Sequence, residues 1–275
     1  MSDGDSTLSQ AADVVEEASN AKALDVLART GFAVMALLHV IIGAIAIAIA
    51  FGHPGEAEPT GAIARLADNP WGPAVMWGCV VACLGLALWQ ASEATLRARS
   101  LPRKERLAKL VSSGFLAVAY GSVGLTFAGF ALGQRSDSGD NTRDFSARLM
   151  ANPVGPWVLV ALGLTILGIG IYFMVKGFRR GFREELLHFE GTRRGRLIES
   201  LGVTGHVAKG MALNLTGLLF IIAAAKHRPD ESTGLDGSLK ALQGHPFGPT
   251  LLVAIGGGFI AYGIFALIRA RFGRM

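Results

Sequence analysis

Side chains that could carry chemistry are few in this sequence, and they stand inside or at the ends of strongly apolar stretches. They are His39, Gln90, Glu93, Lys209 and Asn214. A polar or ionisable group in hydrocarbon is costly, so each is a candidate functional residue by default. Together they define a possible polar site. Hydrogen bonds between packed helices are the alternative interpretation, and they require no activity.

His39 lies about nine residues into an apolar stretch, which places it roughly 13 Å deep at about 1.5 Å of rise per residue. The favoured interpretation is a neutral histidine that is hydrogen-bonded to another helix. A b-type haem would need a second well-placed ligand. The other histidines are predicted in connections or near span ends, so no cofactor is expected: His53, His188, His206, His227 and His245.

Lys209 is predicted at the start of an apolar helix, where its long side chain can extend to the headgroup region. Asn214 and Thr216 lie one and two turns further on, so a polar stripe facing other helices is expected. Interhelical hydrogen bonds of about 1 kcal/mol would explain the stripe equally well.

Gln90 and Glu93 stand at the end of another apolar stretch. Glu93 occupies the position that Lys176 and Arg269 fill in related segments of the chain. A carboxylate between two cations suggests an ion-pair cluster, and a solvated helix end is the alternative. Neither interpretation requires catalysis.

Enzymatic signatures are absent from the sequence. Cys79 and Cys83 share a helix face, but a metal normally asks for four ligands and no others are clustered nearby. We find no nucleophile with its base, no phosphate-binding loop and no pair of intramembrane carboxylates. We therefore expect no enzyme, no catalytic residue, no metal and no cofactor.

Composition places these residues in a membrane. The chain of 275 residues is 51% hydrophobic and 17% charged, and a membrane span needs about 20 apolar residues. Six windows lack Asp, Glu, Lys and Arg, and they predict an all-α integral membrane protein with six transmembrane helices: 30–51, 71–92, 110–134, 149–175, 210–225 and 247–268.

Basic residues are distributed unevenly among the connections. Apart from Lys209, the connections between spans 2 and 3 and between spans 4 and 5 hold thirteen Lys and Arg, against seven in the other three. By the positive-inside rule, this predicts a plasma-membrane protein with both termini in the cytoplasm. Segment 1–23 is polar and acidic, and we expect it to stay cytoplasmic. The expected partners are membrane lipids and another membrane protein or complex, with no nucleic acid.

One phrase recurs three times along the chain. A leucine is followed four residues later by Pro-x-Gly-Pro, in which the first proline and the glycine are Pro70 and Gly72, Pro153 and Gly155, Pro246 and Gly248. A further glycine precedes each motif proline by 27 to 29 residues: Gly43, Gly124 and Gly217. Proline and glycine favour a corner at the start of a helix. The motif therefore predicts the beginning of spans 2, 4 and 6.

A short amphipathic stretch precedes each corner and is predicted to form a helix on the outer membrane surface. Its candidate N-caps are Thr60, Asn141 or Thr142, and Thr233. Each copy returns the chain to its starting side, so the three copies must be parallel around a pseudo-threefold axis along the membrane normal. The predicted repeats are 24–105, 106–197 and 198–275.

These motifs, with the segment from Gly205 through His206 and Lys209 to Gly210, resemble a bacterial membrane family catalogued as domain of unknown function 1206 and common in actinobacteria. The resemblance covers roughly 24–272. It implies a basic residue at Lys209, where the other two copies have Met35 and Leu116. It implies no activity, substrate or cofactor.

Two function classes remain open. A pore on a threefold axis should be lined by like side chains at equivalent positions, whereas the best candidate ring is mixed: His39, Tyr120 and Leu213. The copies share glycine, proline, leucine and aromatic residues, which serve packing. We therefore favour a non-catalytic accessory, scaffold or interaction subunit, with a small-solute or ion transporter or channel as the alternative.

Overall fold

The computed structural model describes residues 22–100, 102–134, 137–185, 193–232 and 234–273. This part of the chain contains nine α-helices: α1 Lys22–Ala50, α2 Pro59–Ala67, α3 Gly72–Thr95, α4 Arg103–Ala131, α5 Ser138–Met150, α6 Gly155–Phe178, α7 Arg193–Lys226, α8 Gly234–Gln243 and α9 Gly248–Phe272. The acidic segment 1–21, His188 and the proposed cap Thr233 lie outside the described residues.

Six of these helices are long and apolar enough to cross a membrane, which confirms the six predicted spans. Their bounds are Asp25–Ala50, Gly72–Thr95, Arg103–Ala131, Gly155–Phe178, Gly195–Lys226 and Gly248–Phe272. The fifth span begins well before the predicted window. The prediction used a stretch without charged residues, which cannot extend upstream past Lys209, whereas the helix itself continues upstream through residues that favour helix formation. Lys209 and His206 therefore lie inside α7, and the prediction that they sit near a span end is wrong.

The corner motif begins a helix in all three copies, as the sequence predicts. Spans 2, 4 and 6 start at the motif glycine with a proline in the first turn. A Cβ atom on Gly155 would collide with the carbonyl oxygen of Leu149, and one on Gly248 with that of Leu242. This close approach explains why the leucine and the glycine keep a fixed spacing.

The three short helices before the corners are confirmed as α2, α5 and α8, but the N-cap assignments are wrong where they can be checked. Glu58 occupies the N-cap position of α2 without a side-chain capping hydrogen bond, because Pro59 already suits the φ angle of a first helical turn. Helix α5 is capped by Asp137, whose carboxylate accepts a hydrogen bond from the backbone N–H of Asp140 at 3.0 Å.

The described chain divides into two compact units. The first comprises 22–35 and 69–134, and within it α3 packs along α4. The second comprises 36–68 and 137–273, and within it α7 packs along both α6 and α9. The pseudo-threefold axis and the repeat boundaries stay predictions.

Glycines allow neighbouring helices to pack closely inside each unit. A Cβ on Gly217 would lie 2.7 Å from the carbonyl oxygen of Gly163, and one on Gly256 would lie 2.6 Å from that of Gly43. In the first unit, a Cβ on Gly124 would lie 3.3 Å from the Cβ of Cys83. The glycines found by sequence repetition therefore lie where helices pack closely, as small residues in membrane helices generally do.

Candidate functional site

His39 of α1 and Lys209 of α7 meet in the second unit. The Lys209 Nζ lies 3.3 Å from the His39 Nε2, within hydrogen-bond distance. A lysine Nζ is a donor without acceptor capacity, so the His39 Nε2 is the acceptor in this contact. The sequence predicts that the Lys209 side chain extends to the headgroup region, whereas the structure places its Nζ beside His39.

Aromatic rings surround this pair. The Lys209 Nζ lies 4.5 Å from the ring centroid of Tyr262 and 4.9 Å from that of Phe173. The His39 ring centroid lies 4.7 Å from the ring centroid of Tyr262 and 5.9 Å from that of Phe259. Ring faces attract a cation electrostatically. In the described residues no carboxylate forms an ion pair with Lys209, so the rings supply its electrostatic stabilisation.

His206 is a buried histidine that was not among the site residues predicted from the sequence. Its side chain is 2% exposed, and its Nδ1 lies 2.7 Å from the carbonyl oxygen of Gly202, one turn earlier. Its ring stacks on Phe182 at a centroid distance of 5.0 Å and contacts the Tyr262 ring edge-on at 5.2 Å. The signal in the sequence that could have identified His206 is its position three residues before Lys209, in the segment that carries the family resemblance.

Asn214 lies further along α7, where it faces α6. Its Nδ2 donates to the Met174 Sδ at 3.1 Å, and its Oδ1 is buried without a hydrogen bond from any described residue. Thr216 donates to the carbonyl oxygen of Ala212 in its own helix at 3.0 Å. The predicted stripe on α7 therefore consists of polar groups with separate partners.

Gln90 and Glu93 are both buried in the first unit. The Glu93 Oε2 lies 2.6 Å from the Nζ of Lys109, so this ion pair joins α3 to α4. The predicted cluster of Glu93 with Lys176 and Arg269 would involve both units and stays a prediction. Of the five predicted site residues, the structure brings His39 and Lys209 into direct contact.

An acidic network that the sequence analysis did not identify lies outside the spans, in the second unit. The carboxylate oxygens of Glu56, Glu58 and Asp137 lie within 4.8 Å of one another, and Glu58 is 3% exposed. Glu56 and Glu58 precede α2, whereas Asp137 precedes α5, about 80 positions further along the chain. Such a group of oxygens could bind protons or a hard cation.

Hydrogen bonds from this network connect the three short helices. The Glu58 Oε1 accepts from the backbone N–H of Gly139 in α5 at 3.1 Å and from the Thr60 hydroxyl in α2 at 3.0 Å. In α8, the Asp236 Oδ1 accepts from the backbone N–H of Ala57 at 2.7 Å. The other Asp236 oxygen lies 2.6 Å from the Lys240 Nζ.

Burial and neighbouring negative charge alter the titration of two carboxyl groups here. Burial raises the pKa of Glu58 to about 7, the nearby carboxylates reinforce this shift, and the Thr60 hydroxyl opposes it. Burial also raises the pKa of Glu56, with Asp137 and Asp236 as further causes. Glu58 therefore exchanges a proton close to neutral pH.

The fold and these sites define an all-helical, multi-pass membrane protein built from repeated helix pairs. The chain belongs to the DUF1206 family, which is described as a Domain of Unknown Function. The family profile matches three times, at residues 30–97, 111–180 and 204–273. These matches confirm both the threefold internal repeat and the family resemblance.

An uncharacterized protein of Bacillus subtilis (strain 168), YxxB, is similar to this chain. The two are 24% identical over 252 residues, which cover 90% of each. No solved structure matches the chain.

Proposed function

We propose that this protein is a non-catalytic accessory, scaffold or interaction subunit of the bacterial plasma membrane, with both termini in the cytoplasm. The observation that supports this proposal most strongly is the part-buried contact of Lys209 with His39 and with the aromatic rings beside it. A group that lines an aqueous pathway is expected to face water, whereas these two side chains are partly buried and contact each other and Tyr262.

Backbone contacts support a closed arrangement of the helices in the second unit. A Cβ on Gly163 would lie 2.7 Å from the carbonyl oxygen of Gly217, and one on Gly170 would lie 2.8 Å from that of Gly210. At both levels, α6 and α7 leave no room for a solute between them. Two cavities of this unit are lined by other residues, none of them His39, Lys209 or Asn214.

Two spans present faces that a partner subunit could contact. The most apolar window is 17% buried in α4 and in α6, against 44 to 50% in the other four spans. On α6, Gly168 has open space where a Cβ would stand. An outward glycine allows the backbone of a second helix to approach closely.

The proposed topology rests on charge. Apart from Lys209, two connections hold thirteen Lys and Arg and the other three hold seven, which favours cytoplasmic placement of those two connections and of both termini. The proposed absence of catalysis rests on the sequence, which offers no nucleophile beside a general base.

The accessory role is tested by extracting the protein from its native membrane in polymer nanodiscs and separating the particles by mass. We expect it to migrate well above its monomer mass of 28.9 kDa, together with a second membrane protein in fixed stoichiometry. Deleting the gene should lower the abundance of that second protein. Recovery of the monomer alone, with no change in other membrane proteins after deletion, would contradict the proposal.

A transporter or channel is the second candidate, and one observation favours it. Lys209 and His39 are two titratable groups 3.3 Å apart, each inside a candidate span. Ionisable pairs inside membranes often transfer protons. Proton flux through proteoliposomes separates this candidate from the first.

A further inference from the structure

Two cavities of the second unit meet on one face of α7. The first, the basic pocket, has a volume of about 560 Å³ and is lined by Arg180, Arg183, Arg196, Glu199, Ser200 and Thr204. The second, the apolar groove, has a volume of about 280 Å³ and runs along Val203, Val207 and Met211 of α7. Val203 and Thr204 line both cavities. The two cavities are therefore adjacent.

The spacing of the lining residues makes this surface a single stripe. Arg196, Ser200, Val203, Val207 and Met211 are separated by three or four positions, so they share one helix face. At about 1.5 Å per residue, the stripe is roughly 22 Å long. One end is basic and the other end is apolar. Phe178 of α6 and Ala254 of α9 line the apolar end.

The basic pocket has an excess of positive charge. Glu199 binds both Arg180, with Nε to Oε1 at 2.8 Å, and Arg183. Arg196 is exposed and forms no ion pair with any described residue. Among the described residues that line the pocket, three guanidinium groups thus face one carboxylate. Guanidinium forks match the geometry of phosphate oxygens, so the unbalanced charge suits a phosphate group.

The backbone at the end of α6 holds one of these arginines in an unfavourable conformation. Arg180 has a φ of 57°, in the left-handed region that glycine normally occupies after a helix. Its Nε contact with Glu199 directs the guanidinium into the basic pocket. An arginine at this strained position is thus placed where a glycine would be the easier choice.

We propose that the basic pocket and the apolar groove form one binding site for an anionic phospholipid. The phosphate would lie among Arg180, Arg183 and Arg196, and an acyl chain would lie along Val207 and Met211. The apolar groove favours a lipid over a free phosphate, because only a lipid has a chain to fill it. Phe178 is 64% exposed and Met211 is 36% exposed, so both can contact such a chain.

The test measures lipid binding to the full chain in detergent by native mass spectrometry and thermal shift. The probes are phosphatidylglycerol, phosphatidylcholine and inorganic phosphate. We expect at least tenfold tighter binding of phosphatidylglycerol than of phosphatidylcholine, and little competition by inorganic phosphate. Equal binding of the two lipids would overturn the proposal. Full competition by inorganic phosphate would also overturn it and indicate a free-anion site.

Variants distinguish a built site from general surface charge. Arg196→Gln removes an arginine without an ion-pair partner, and Arg180→Gly relieves the left-handed backbone, so both should keep the wild-type unfolding temperature. Each should weaken phosphatidylglycerol binding about tenfold. Arg179→Gln, the matched control outside the pocket, should stay within twofold of wild type. An equal loss in all three variants would mean nonspecific attraction and overturn the site.

A variant in the apolar groove tests whether an acyl chain binds there. Ala254→Phe places a ring where the acyl chain would lie, so it should weaken phosphatidylglycerol binding and leave the weak effect of inorganic phosphate unchanged. Unchanged phosphatidylglycerol binding in Ala254→Phe would show that no chain occupies the groove and would overturn the proposal.

Discussion

Replacing Glu58 by glutamine should remove most of the pH dependence of stability between pH 4.5 and 7. The folded protein raises the pKa of this carboxyl group from 4.5 to about 7, because the side chain is buried among other carboxylates. The folded state therefore binds a proton that the unfolded state has released across this range. The contribution of Glu58 to the free energy of unfolding is fully present below pH 4.5 and is lost as the pH rises through about 7.

The size of the effect follows from the shift. About 1.36 kcal/mol per pKa unit gives a loss of about 3 kcal/mol in the free energy of unfolding between the two pH limits. For a chain of this size that is about 6 to 12 °C in unfolding temperature. Glu58→Gln has no proton to lose, and its amide oxygen can still accept from Gly139 and Thr60. It should match wild type near pH 4.5 and exceed it near pH 8.

The assay is thermal unfolding in detergent, followed by tryptophan fluorescence from pH 4.5 to 8. A small slope should remain in Glu58→Gln, because the pKa of Glu56 is also raised. Glu105→Gln, at an exposed position in the first turn of α4, is the control and should keep the wild-type pH dependence. The same slope in wild type and Glu58→Gln would refute the assignment of the titration to Glu58.

Two further predictions concern packing and topology. Gly217→Ala places a Cβ 2.7 Å from the Gly163 carbonyl oxygen and should destabilise the protein by about 1 to 3 kcal/mol. Gly168→Ala faces open space and should stabilise the protein by about 0.5 to 1 kcal/mol. Equal unfolding temperatures of the two variants would mean that α6 and α7 are not in contact. Cysteines introduced at Gly55 and at Asp230, whose side chain is 83% exposed, should react with an impermeant reagent outside the cell, and one at Arg103 should not. Labelling at position 103 from outside would reverse the topology.

The repeat motif shows what the sequence could predict about the fold. The corner at Gly155 and Gly248 is a local structure, because the clash that excludes a side chain comes from a carbonyl only six residues earlier. Its sequence signature is therefore complete within a few residues. The same applies to the six apolar helices, whose length and composition are local properties.

The contact between His39 and Lys209 shows what the sequence could not predict. The two residues are 170 positions apart in the sequence. Lys209 directly precedes a charge-free stretch, and a lysine in that position is normally predicted to extend to the headgroup region. Only the continuation of α7 upstream of Gly210 places Lys209 inside the span. The acidic network was hidden for a similar reason, because Glu58, Asp137 and Asp236 belong to three different connections.

Proton flux through proteoliposomes tests most directly whether the part-buried pair of Lys209 and His39 forms a conducting path. The protein is reconstituted with an imposed pH gradient, and a pH-sensitive dye is followed in vesicles with wild type, Lys209→Met, His39→Phe or no protein. An ionophore added at the end verifies the gradient. We expect all four samples to dissipate the gradient at the same slow rate. Rapid dissipation in wild type that Lys209→Met and His39→Phe both abolish would contradict the accessory role and identify a transporter.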